Sequence, residues 1–150
     1  MIVLGDPTVE TDEPVTAVAL LRAGLGALAT EDWQALRSLC SAEVVWHVPR
    51  RSPIAGDLVG VDSVIERFQR MRSATENDRR PELVSWLDGD DHAAVVQRNW
   101  ILQPDGQRHA FTAITLVRVQ NNLITEMWNL VTDQYAADAL WERLWEQPAP

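Results

Sequence analysis

The chain contains no lysine: all thirteen of its basic residues are arginine. Chemistry that runs through a lysine imine is thereby excluded, which removes Schiff-base aldolases and pyridoxal enzymes. A single cysteine, Cys40, excludes an internal disulfide. No apolar run approaches the roughly 20 residues that a membrane-spanning helix needs. The opening MIVLGDPTVETDE lacks the basic segment of a signal peptide. Positive charge is scarce as well: the formal net charge is −9, whereas nucleic acid and anionic membrane both demand clustered Arg or Lys. The expectation is a soluble cytoplasmic protein that binds neither nucleic acid nor membrane.

What is present suffices for one domain of 150 residues with a core that needs no staple. Residues 1–13 are acidic and aperiodic apart from Ile2, Val3 and Leu4, and are expected to form a flexible arm ahead of a single domain spanning 14–146. Thr11 or Asp12 is placed to cap a helix opened by Pro14, and Val18, Leu21, Leu25 and Leu28 give that helix one apolar stripe. Inside it, Gly24-Leu25-Gly26 resembles the start of a dinucleotide fingerprint. That fingerprint requires a strand before its first glycine. Here helical periodicity already runs through it, so the glycines read as a close approach to a neighbouring element. Thr30 is expected to cap a second helix, Glu31 to Leu39, and a third is expected over about Val61 to Arg72, followed by a loop from Ser73 to Arg80.

Between the second and third helices lies Val44 to Gly60, VVWHVPRRSPIAGDLVG, where strand residues give way to a hairpin and a bend. Alternation puts Val45 and His47 on one strand face, Trp46 and Val48 on the other. From Pro81 the pattern changes to period two. Runs at Glu82 to Leu87, Ala93 to Leu102, Arg108 to Val119 and Leu123 to Thr132 are joined by turn sequences such as Asn121-Asn122, which predicts an antiparallel meander. Both faces of the two central runs are substantially apolar, so one is expected to cover the helices and the other to meet a second subunit. Asp133 is placed to cap a last helix, Gln134 to Glu146.

The segments EDWQALRSLCSAEVVW, WHVP…SPIAGDLVGVDSVIERF and NNLITEMWNLVTD resemble the SnoaL-like polyketide cyclases of the NTF2-like superfamily, over roughly Pro14 to Trp145. The resemblance implies an α+β cone, in which a strongly curved antiparallel sheet wraps the N-terminal helices, a C-terminal helix closes it and a pocket opens at one end. It also implies chemistry that this chain does not carry in full. Where related limonene epoxide hydrolases have an arginine-x-aspartate strand, Arg98-Asn99-Trp100 keeps only the arginine, and Leu130 stands in place of their second acid. The aspartate of the cyclases falls at Thr115, whose hydroxyl orients a carbonyl but cannot serve as the proton carrier. The tyrosine and acid of ketosteroid isomerases have no counterpart, because the only tyrosine is Tyr135.

On the inner faces implied by this alignment stand His47, Arg98, Thr115 and Glu126, among Trp100, Trp128, Leu130 and Phe68. Glu126, His47 and Arg98 are the catalytic candidates, with Trp100, Trp128, Thr115, Leu130 and Phe68 lining the substrate. Beside a tryptophan in a dry pocket, the Glu126 carboxyl is expected to be pushed toward its neutral form and to serve as an acid. The alternative is a structural ion pair of Glu126 with Arg98, and His47 equally reads as a satisfied core histidine. His47, His92 and His109 have no metal-ligand spacing, so no metal is expected; neither is a cofactor. His92 and His109 read as surface residues. Two functions remain open. One is an intramolecular cyclase or isomerase, with a pericyclic closure suited to the missing acids, acting on an apolar polyketide-like intermediate in bacterial natural-product biosynthesis. The other is a non-catalytic binder of a small hydrophobic ligand. A homodimer is expected in either case.

Overall fold

The computed structural model of the protein describes residues 15–49, 51–75, 80–102 and 105–146. The expected arm at residues 1–13 and the expected cap at Thr11, Asp12 and Pro14 lie outside these residues. Helix α1 (Ala17–Ala29) is capped by Thr16, whose hydroxyl accepts from the Ala19 amide at 3.2 Å. Helix α2 (Trp33–Leu39) is capped by Asp32 and not by Thr30, because Glu31 takes a left-handed φ of 55° that ends the preceding turn. Helix α3 (Val61–Ala74) runs two residues beyond its expected end, and α4 (Gln134–Glu146) follows Asp133, which accepts from the Ala136 amide. Gly24 lies inside α1, where an added Cβ would make an ordinary contact with Ile124 at 3.8 Å, whereas one at Gly26 would meet nothing within 4 Å, so only the first glycine of the pair faces the sheet. Among the described residues no helix is long and apolar enough to cross a membrane.

Six strands form one sheet: β1 (Cys40–Val48), β2 (Gly56–Val59), β3 (Arg80–Asp88), β4 (His92–Leu102), β5 (Arg108–Gln120) and β6 (Leu123–Val131). Their spatial order is β2-β1-β6-β5-β4-β3. The meander β3 to β6 is antiparallel throughout, and β1 with β2 makes an antiparallel hairpin. The junction between these units adds one parallel pair to the antiparallel sheet expected from the sequence. β1 lies parallel to β6, with Trp46 beside Met127. A parallel neighbour needs a long crossover, and the chain between β1 and β6 contains α3 and the whole meander.

Alternation then commits every strand residue to a face. Val44, Trp46 and Val48 of β1, Ala93 and Val95 of β4, Phe111, Ala113 and Val117 of β5 and Met127 of β6 are buried in one cluster with Leu20, Leu21 and Leu36 of the first helices and Val64 and Ile65 of α3. Trp46 stacks on Phe68 of α3 at 4.3 Å between ring centroids, which fixes that face as the inner one. The α4 side chains Leu140, Trp141 and Leu144 are buried too, while Trp145 is held under the guanidinium groups of Arg70 at 4.0 Å and Arg67 at 5.6 Å on α3.

The β5–β6 turn places both Asn121 and Asn122 at positive φ, 52° and 61°, the conformation of a tight primed hairpin turn. Asn122→Val forces a β-branched residue into this region and is expected to cost about 1–2 kcal/mol of stability. Asn122→Gly is expected to preserve or raise the melting temperature. Thermal unfolding of the two variants checks both signs.

Candidate functional site

The register divides the expected site residues between the two faces. Thr115 pairs with Val95 and Asn129 and belongs to the inner face, whereas Trp128 pairs with Leu116 and belongs to the outer one. Glu126 pairs with Arg118, Leu130 with Ile114, Arg98 with Thr112 and Trp100 with Ala110, and all of these are outer positions. His47 adjoins Trp128 on the same side. The shared inner lining expected of His47, Arg98, Glu126, Trp100, Trp128, Leu130 and Thr115 is therefore corrected: only Thr115, with Phe68 from α3, faces inward. The cause is a one-residue difference in parity, which on a strand moves a whole set to the opposite face. Arg98 is also separated from Glu126 along the sheet. Arg98 stands six residues along β4 from the His92–Arg118–Glu126 row, about 20 Å at the rise of a strand.

Two of the three catalytic candidates do meet, on the outer face. His47 Nε2 lies 2.9 Å from Glu126 Oε2, and Nδ1 lies 2.9 Å from Asp57 Oδ1 on β2. Arg118 Nη1 donates to the other Glu126 oxygen at 3.3 Å, so the partner is Arg118 and not Arg98. Arg98 instead covers the Trp100 ring at 4.8 Å. Two carboxylates on one imidazole require a donor at each ring nitrogen, which only the protonated ring supplies. In agreement, the hydrogen bonds to Glu126 and Asp57 raise the His47 pKa above its ordinary 6.5. Glu126 is held below the ordinary carboxylate range, first by His47 and then by Arg118. This overturns the neutral Glu126 expected of a dry pocket, because its side chain is 29 % exposed and flanked by two cations. Trp128 stacks on His47 at 5.2 Å, with His92 on it at 6.3 Å. The arrangement is an ion-pair bridge from β2 through β1 to β6.

The inner wall has a different chemistry. Across β6, β5 and β4 it carries Asn129, Thr115, Gln97 and Asn99 as a diagonal column of neutral polar groups among Val95, Phe111, Ala113 and Met127. Thr115 Oγ1 donates to Gln97 Oε1 at 3.4 Å. Asn99 is 0 % exposed, and neither its Nδ2 nor its Oδ1 has a hydrogen-bond partner; the buried Trp46 Nε1 is in the same condition. An unmatched buried polar group costs about 1–3 kcal/mol, so this wall is incomplete by its own energetics. Gln97 and Asn99 were missed as site residues in the sequence because Arg98 between them attracted the assignment, and Asn129 because Trp128 and Leu130 on either side of it did. The available signal was the parity of Ala93 and Val95, which continues into Gln97 and Asn99.

His109, expected at the surface, is half-buried, 6.3 Å from Phe111 on the inner parity of β5. It lines a cleft of about 270 Å³ with Arg98, Ala110, Phe111, Thr112, Thr132 and Asp133, where β6 leaves β5. Cys40 is buried, its thiol pushed up to about 11 by burial, so it is no nucleophile at neutral pH.

Because His47 has a raised pKa in the folded state, its contribution to stability is complete below pH 6.5 and is lost as pH climbs through the folded value. Glu126, with a lowered pKa, loses its contribution as pH falls below the ordinary 4.5. Wild type is expected to lose stability on the alkaline side relative to His47→Gln, so chemical denaturation of the pair at pH 6 and pH 9 should show a difference that shrinks with pH. An unchanged difference would remove the imidazolium bridge.

Residues 21–127 match the model of the SnoaL-like domain. No functionally curated protein matches the chain. Among solved structures, Bal32a from a soil-derived mobile gene cassette is 27 % identical, with a TM-score of 0.75 over 81 % of this chain and 93 % of that one. A protein of unknown function with a cystatin-like fold from Xanthomonas campestris is 22 % identical, with a TM-score of 0.77 over 86 % of this chain and all of that one. TerC, co-crystallised with polyporic acid, is 15 % identical, with a TM-score of 0.72 over 84 % of this chain and 98 % of that one. With a sheet packed on its helices in an NTF2-like α+β fold and a family match across most of its length, the chain belongs to the SnoaL-like domain family.

Proposed function

We propose that the protein is a cofactor-independent cyclase or isomerase, acting in the cytoplasm of a bacterium on a neutral, apolar, polyketide-like intermediate held against the inner wall. The supporting observation is the diagonal column of amide and hydroxyl groups on an otherwise apolar face, with Trp46 and Phe68 stacked beside it. Such a wall orients ligand carbonyls by hydrogen bonds and folds the chain between them into a reactive shape. Removing conformational freedom before reaction lowers a unimolecular barrier without a charged catalyst. Where a proton must move, His109 is the titratable side chain on the inner parity of β4 to β6 among the described residues. The second reading, a non-catalytic binder, is favoured by the absence of any carboxylate from the same described positions.

The experiment is mass spectrometry of the protein with metabolites from a producer strain lacking it, with polyporic acid included as a trial ligand. A product of unchanged mass and new retention time identifies the cyclase or isomerase. Thr115→Val with Gln97→Leu is expected to lower that turnover by roughly 10- to 100-fold, the scale of losing oriented donors at a reacting oxygen. His47→Gln and Glu126→Gln should leave it intact. Loss of turnover in the latter pair alone would move the chemistry to the outer face, and a metabolite retained unaltered would select the binder.

We also propose a homodimer through the outer face, where Val96, Ile114 and Leu116 are half-buried and Leu130 is 40 % exposed beside Trp128. Sedimentation at micromolar concentration should give a dimer, and Leu116→Arg should give a monomer. A wild-type monomer would refute the interface.

A further inference from the structure

The carboxamide of Asn99 is wholly buried, and its nitrogen and oxygen both lack a partner in the protein. Register sets it between Phe111 of β5 and Pro81 of β3, so flat or rigid apolar groups flank it on both sides. Its neighbour two residues along the same face, Gln97, is buried as well but has its oxygen engaged by Thr115. Asn99 therefore differs from Gln97 and Thr115 in having its full capacity unspent while wholly buried.

A carboxamide presents one donor and one acceptor side by side in a single plane. A group that satisfies both at once carries the reverse order on adjacent positions, as the N–H and C=O of a lactam or the O–H and C=O of an enolised 1,3-dicarbonyl do. Charge has no counterpart at this spot. The arginines and the carboxylate of β4 to β6, Arg98, Arg108, Arg118 and Glu126, occupy positions of the opposite face. Desolvating an ionised ligand here would be uncompensated, whereas a neutral planar edge replaces the hydrogen bonds it gives up in water.

We propose that Asn99 is the specificity-determining residue of the inner site and selects neutral planar ligands that bear a hydrogen-bond donor and acceptor side by side, a lactam or enolised-dicarbonyl edge. The assignment rests on the reading of the inner wall as the ligand site, and it adds the class of ligand.

Three probes of similar shape test it by calorimetry on the full chain: 2-quinolinone, which has the paired edge; N-methyl-2-quinolinone, which keeps the carbonyl but has lost the donor; and 2-methylnaphthalene, which has neither. The wild type is expected to bind 2-quinolinone at least about tenfold more tightly than the N-methyl compound, since a site built to pair a polar edge discriminates against its blocked analogue. Asn99→Leu should abolish that preference while leaving the affinity for 2-methylnaphthalene unchanged or improved. Equal affinities for the first two probes in the wild type would overturn the role of Asn99 and, with 2-methylnaphthalene still bound, leave the inner ligand site standing. Binding of none of the three would remove the inner site itself. Should Asn99→Leu fail to fold, the wild-type ratio alone decides.

Discussion

Side-chain parity on the curved sheet is the constraint from which the remaining architecture follows. Once Trp46 lies beside Met127 and Met127 beside Val117, every residue of β1, β6, β5 and β4 is assigned inward or outward with no further freedom. Inward go the aliphatic and aromatic groups that cover α1 and α3, together with four neutral polar side chains. Outward go the charges, which find one another as His47 with Glu126 and Asp57, and Arg118 with Glu126. The protein thus separates its electrostatics from its interior by the thickness of one sheet. Reactivity available to a ligand inside differs in kind from that available on the outer surface.

Much of the fold was legible from local pattern. Period-two runs located the strands of the meander, the 3.6-residue stripes located the helices, and Asn121-Asn122 located a turn whose positive φ values the structure displays. Helix ends were less legible, since Thr16 and Asp32 compete with neighbouring residues of equal capping chemistry. The site was legible only in part. The contact of His47 with Glu126 and Trp128 was anticipated as a grouping, but its face was not. Val45 and His47 are bordered by Trp46 and Val48, so either parity offers the core an apolar surface, and hydrophobicity alone does not choose. Long-range pairing with β6 makes the choice, and that information is not local.

The ion-pair bridge and the unpaired amide show two opposite ways of treating a polar group. His47 is partly exposed, saturated by carboxylates and stacked on Trp128, so its demands are met within the protein. Asn99 is buried and unmatched, so its demands are left to whatever enters. Saturated groups stabilise one architecture, and unsaturated ones create selectivity. A shifted pKa therefore marks a structural bridge in this chain, while the proposed place of recognition is built on a carboxamide that does not ionise.

The parallel contact of β1 with β6 has a consequence for how the chain acquires its structure. Trp46 and Met127 are about 80 residues apart, whereas the meander strands pair with sequence neighbours across short turns. Closing so long a loop is entropically costly, so local hairpins are favoured early and the β1–β2 hairpin docks late. Until β6 has left the ribosome, Trp46 and Val48 have only the four-residue β2 to lie beside, and the other edge of β1 stays open. The interval between synthesis of residue 48 and residue 131 is thus the period in which this chain is most exposed to aggregation, and in which a chaperone has most to offer it.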